Sequence, residues 1–215
     1  MDRSTAFILS LSIFIPLITG LVRYGEIPVS YFPLIYLLGI GFVNEVVCFL
    51  AFYNSSNAIP TNIYFLLEFI FFAWQFRQWK NILRKKWVYY ILLAIMIIIW
   101  VTENIIFEKI TEFSPLFQVT YSMVLILLSV NQLNWLLVNE RGNIIRNPIF
   151  LICIAMIIYY SYKVLTEVFY FYAPEKFIKN NIFVMESYIN VGYNLLLAIA
   201  ILCIPRKKIF IQPLQ

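Results

Sequence analysis

Five glutamates and one lysine stand inside long apolar runs of this chain: Glu45, Glu68, Glu103, Glu167, Glu186 and Lys163. An ionisable group in such a run is costly, so each is a functional-site hypothesis in its own right. Carboxylates attract amines and hard cations, and they can exchange protons. Lys163 lies one helical turn before Glu167, which makes it the natural counter-ion. Other chemistry is excluded by composition. The chain has no histidine, so histidine-ligated haem, His-bearing zinc sites and His-based triads are ruled out. Cys48, Cys153 and Cys203 sit in apolar runs with no C-x-x-C pair and read as buried small hydrophobes. No G-x-S-x-G elbow is present, and the only aspartate is Asp2, so a paired-aspartate hydrolase is not supported. These residues point to a binding site, not a catalytic one, and no cofactor is implied.

The elements that must position these groups follow from composition. Of 215 residues, 62% are hydrophobic and 13% charged, with mean hydropathy +0.83. Soluble domains carry about 25% charged residues. The chain is therefore expected to be an all-α, polytopic membrane protein, a single seven-helix domain over residues 1–215. The seven apolar segments are Thr5 to Val22, Ser30 to Tyr53, Pro60 to Phe76, Trp87 to Phe107, Ser114 to Val138, Pro148 to Tyr172 and Asn181 to Ile204. The first ends at Arg23 and lacks a small-x-small cleavage site, so it reads as a retained helix. Basic residues concentrate after the third segment (Arg77, Lys80, Arg84, Lys85, Lys86), after the fifth (Arg141, Arg146) and in the tail (Arg206, Lys207, Lys208). By the positive-inside rule the N-terminus is outside and the C-terminus inside. The loop after the sixth segment, with Glu175, Lys176 and Lys179, is a mild exception. Trp79, Trp87, Tyr53 and Tyr172 fit interfacial belts. The basic residues follow topology and form no stripe, so nucleic acid is not an expected partner.

An internal repeat is also legible. Asn44-Glu45-Val46 aligns with Thr166-Glu167-Val168, and Asn62 to Glu68 has the same spacing as Asn180 to Glu186. The halves 1–80 and 114–208 then form a parallel repeat, with 87–107 as a connector. At 1.5 Å per residue, Glu45 and Glu68 lie about 12 Å below the outer rim, and Glu167 and Glu186 about 8 Å. All fall in the outer half of the bundle and should face its interior. Tyr64, Gln118, Tyr121, Tyr160, Asn190 and Asn194 supply neighbouring polar groups. Several carboxylates in one site cannot all stay ionised, so protons are shared among them. The alternative role for each glutamate is interhelical glue. Asn131, Gln132 and Asn134 read as interfacial.

The two-times-three arrangement with a connector resembles in outline the sugar-transporter and sorting-receptor superfamily built from two three-helix bundles, without its Pro-Gln signature. The chain as a whole resembles small seven-helix bacterial membrane proteins of no assigned activity, in which the second- and third-helix glutamates fall in similar apolar contexts. That resemblance implies a multi-pass protein of the bacterial inner membrane and carries no activity. The expected function is an outward-facing carboxylate-rich site for a small cationic ligand or ion, in a transporter or sensor. A non-catalytic subunit docking a cytoplasmic protein through its basic loops is the alternative, and an intramembrane lipid hydrolase the further one.

Overall fold

The computed structural model describes residues 3–50, 56–79, 83, 85–107, 110–140, 143–172 and 176–206, with backbone alone for 3, 4, 6, 170–172 and 176–183. Lys80, Arg84, Arg141, Lys207, Lys208, Tyr53 and Glu175 lie outside the described residues, as do the side chains of Tyr172, Lys176, Lys179 and Asn180. Every regular element described is helical: α1 (Arg3–Ser10), α2 (Phe14–Val22), α3 (Phe32–Leu50), α4 (Ala58–Gln78), α5 (Lys86–Val101), α6 (Pro115–Asn139), α7 (Pro148–Tyr172) and α8 (Lys176–Leu202). An apolar solvent leaves backbone groups no partner outside the segment, and a helix satisfies them internally. Prolines mark the starts. Pro115 and Pro148 open α6 and α7, where a missing N–H costs nothing.

Six of these stretches are long and apolar enough to cross a membrane, as in a multi-pass protein. The first apolar segment differs from the single long helix expected. It is a shorter apolar helix over Phe7–Val22, with a 3-10 turn at Leu11–Ile13 between α1 and α2. The cause is Pro16, which cannot donate to the carbonyl one turn earlier and so disturbs the ladder just before it. The last helix begins at Lys176 instead of Asn181, so most of the expected sixth loop has a helical backbone.

The principal packing order is α1/α2, α3, α4, α6, α7, α8 and back to α1/α2, a closed ring of six rods. Between α2 and α3, Gly20 permits close approach: a Cβ there would stand 2.6 Å from the Ile35 Cδ1. Outside the ring, α5 leans on α4 and α6 and presents Trp87, Tyr90, Ile91, Ile95 and Ile98 outward. One end of the ring is tied by Arg23. Its guanidinium donates to the carbonyls of Ile201, Leu202 and Ile204 at 2.5, 2.7 and 2.8 Å, satisfying the exposed end of α8. Two residues assigned to the interface are core instead. Trp79 packs against Tyr31 and Phe76, and Gln132 is buried and donates to the Trp79 carbonyl. Their places just past the end of α4 and on α6 turn them inward, whereas Asn131 and Asn134 are exposed.

Candidate functional site

Within the ring lies a cavity of about 590 Å³. Every rod of the ring contributes to its wall, and α5 contributes nothing. Along α4 it runs from Thr61 to Phe72, and along α8 from Glu186 to Leu197. Each span is about 16 Å at the helical rise. The cavity therefore reaches from the end remote from Arg23 to beyond the middle of the bundle.

The wall brings together Glu45 of α3, Glu68 and Tyr64 of α4, Gln118 of α6, Lys163 and Glu167 of α7, and Glu186, Asn190 and Asn194 of α8. Helical periodicity explains this. Glu186, Asn190 and Asn194 are spaced four apart, and Lys163 and Glu167 likewise, so each set lies along one face. Asn194 donates to the Ser12 hydroxyl at 2.8 Å, which ties α8 to the 3-10 turn. Gly41 lets Tyr64 reach across: a Cβ at Gly41 would meet the Tyr64 hydroxyl at 3.1 Å.

The centre of the site is a relay. Lys163 Nζ donates to the Tyr121 hydroxyl at 2.6 Å, and that hydroxyl donates to Glu68 Oε2 at 2.9 Å. Tyr64 donates to Glu68 Oε1 at 3.3 Å. The ammonium also stands 4.0 Å from the ring centroid of Phe65, with Tyr121 at 5.3 Å and Tyr159 at 5.7 Å, within the range of cation–π attraction. Tyr159 is in turn stacked on Tyr193 at 4.4 Å. A buried positive charge is thus held by a bridged carboxylate and the rings of Phe65 and Tyr159, not by direct contact with a carboxylate.

Three expectations change. Lys163 makes no ion pair within 4.0 Å among the described residues, so it is not the direct counter-ion of Glu167. The order along the helix accounts for this, since lysine before glutamate is the weaker arrangement and the long side chain extends toward the N-terminus. Tyr121 stands behind the wall as a bridge and does not line the cavity. Glu103 lies apart from the cavity. Its two oxygens accept from the backbone N–H of Leu116 at 3.0 Å and Phe117 at 2.6 Å. That is a carboxylate cap on the first turn of α6, where N–H groups lack helical partners. Asn62 is structural as well. It donates to the Ile110 and Glu112 carbonyls, accepts from Ser114 N–H, and its own carbonyl accepts from Trp100 Nε1.

Sequence reasoning passed over Gln75, which is buried in α4. It accepts from Leu34 N–H at 3.0 Å and donates to the Ser30 carbonyl at 2.5 Å, fixing the start of α3. A glutamine within an apolar helix was the available signal. Asn44, Thr61 and Ser187 also line the cavity.

No family model, curated protein or solved structure matches this chain. The chemistry must therefore be argued from the cavity itself. Among the described residues no three carboxylates or thiols come close enough to hold one metal ion. The site is roomy, and its polar groups are spread along its walls.

Proposed function

We propose that this chain is a multi-pass cell-membrane protein whose intramembrane cavity binds a small ligand, as a transporter or a sensor. One observation carries the reading: a cavity of about 590 Å³ enclosed by six rods, with Glu45, Glu68, Glu167, Glu186 and Lys163 on its wall. Volumes of roughly 300–1,000 Å³ suit small-molecule sites. A bundle needing only polar glue would pair these groups with one another and close over them. The acidic part of the wall, with Glu45, Glu167 and Glu186, lies toward the side remote from Arg23, which the positive-inside rule would make the exterior.

The order of the ring is compatible with the parallel repeat. Exchanging α1/α2, α3 and α4 for α6, α7 and α8 maps each neighbouring pair of the ring onto another, with α4–α6 exchanged for α8–α1/α2. The peripheral α5 is then the connector. In this arrangement the cavity lies on the pseudo-axis between the halves, where alternating access takes place in repeat-built transporters.

The test is uptake and counterflow in proteoliposomes against a panel of small solutes, paired with thermal stabilisation of the protein in detergent. Stabilisation that Glu68→Gln removes while the variant still folds supports a binding site, and accompanying uptake assigns transport. Failure of every solute in both assays contradicts the reading.

A further inference from the structure

We infer that the cavity's ligand class is an organic amine bearing N–H groups, held by the carboxylates of Glu45, Glu167 and Glu186 and by the side-chain carbonyl of Gln118. This inference rests on the ligand-binding reading above and narrows it. The first argument is a surplus of acceptors. Glu68 already receives two tyrosine hydroxyls, one of them bridged to Lys163. Glu45, Glu167 and Glu186 line the same space, and none has a lysine or arginine nitrogen within 4.0 Å among the described residues. These carboxylates cannot all stay ionised in the empty cavity, and a cationic ligand beside them would favour their charged form.

The second argument is independent. Gln118 is only 5% exposed, lines the cavity, and its Oε1 has no hydrogen-bond partner. A buried acceptor without a donor is costly; the oxygen is closed off from the cavity in the empty protein, and a change of the Gln118 rotamer would turn it to a ligand N–H. The third argument is the wall between the polar groups. It is aromatic, and Lys163 demonstrates that an ammonium can sit 4.0 Å over one of its rings. A bare divalent cation fits less well. Calcium takes roughly six to eight oxygen ligands, and the described acidic groups do not converge on one point. A quaternary ammonium would gain the aromatic faces but leave the acceptors empty. A carboxylate ligand would add a further negative group to a wall that carries four glutamates and one lysine.

The experiment measures thermal stability of the purified full chain with phenethylamine, cadaverine, the trimethylammonium analogue of phenethylamine, hydrocinnamate and calcium chloride. In parallel, carbodiimide labelling of the wild type reads out which carboxylates each probe protects. The expected result is stabilisation by at least one of the two N–H amines, with protection of Glu45 or Glu186, and no comparable effect from the other three probes. Glu186→Gln should weaken the apparent amine affinity about tenfold or more, the scale of one charge-assisted hydrogen bond. Gln118→Leu should hold or raise the stability of the ligand-free protein yet lower amine affinity, an effect a purely structural residue would not produce. If hydrocinnamate, calcium or the quaternary probe acts and the amines do not, the ligand class is wrong and the cavity reading stands. If no probe of either charge stabilises or protects, the ligand class is wrong, and the solute panel above decides the cavity reading separately.

Discussion

Glu68 and Glu103 are buried to nearly the same degree, at 4% and 6% exposure, yet they do different work. Glu103 spends both oxygens on the backbone of α6, and Glu68 keeps its oxygens on side chains at the edge of a cavity. Glu103→Ala is therefore expected to destabilise the protein by about 1–2 kcal/mol, as cap removal does, while ligand affinity is unchanged in the variant that folds. Thermal denaturation with and without ligand checks this. Tyr121→Phe removes the bridge between Lys163 and Glu68 and should cost about 1–3 kcal/mol. Combined with Lys163→Met, its effect should be smaller than the sum of the two, because both act on one network, with a coupling of roughly 0.5–3 kcal/mol. An additive cycle would remove the relay. The carboxylates were legible in the sequence because charge inside an apolar run is conspicuous. Their separate roles were not, since a carboxylate's partners come from helices distant in sequence: Tyr121 is 53 residues from Glu68.

At the scale of elements, long apolar runs and Pro-marked starts made the helices readable, within a few residues at their ends. The interruptions were less so. The 3-10 turn before α2 follows from Pro16, whereas the π turn over Thr102–Ile106 has no proline. It brings Glu103 and Asn104 both to buried positions. There Asn104 accepts from the Ser114 hydroxyl at 2.6 Å beside the Glu103 cap. Only the partner helix reveals the need for that geometry. The start of α3 depends likewise on a distant residue. Gln75→Leu strips Leu34 N–H and the Ser30 carbonyl of their partner, and each such buried group costs about 1–3 kcal/mol. Hydrogen exchange should rise at the first turn of α3 and not at its C-terminal end. Uniform exchange along α3 would contradict the anchoring role.

At the scale of the whole molecule, a ring of six rods surrounds a polar cavity, and α5 stays outside it. Composition pointed to a bundle and spacing to shared faces, so nine of the residues singled out in the sequence line the cavity wall. The ring's closure and the exclusion of α5 were not legible, because they depend on which helix neighbours which. The most direct measurement is a cysteine scan of α8 between Glu186 and Ile199, in a background without Cys48, Cys153 and Cys203, using a hydrophilic thiol reagent in membranes. Reaction is predicted at positions 187 and 190, which line the cavity and are partly exposed, and silence at the outward-facing positions 188, 195 and 199. Silence at both 187 and 190, or reactivity on the outward face, would contradict a water-accessible cavity inside the ring.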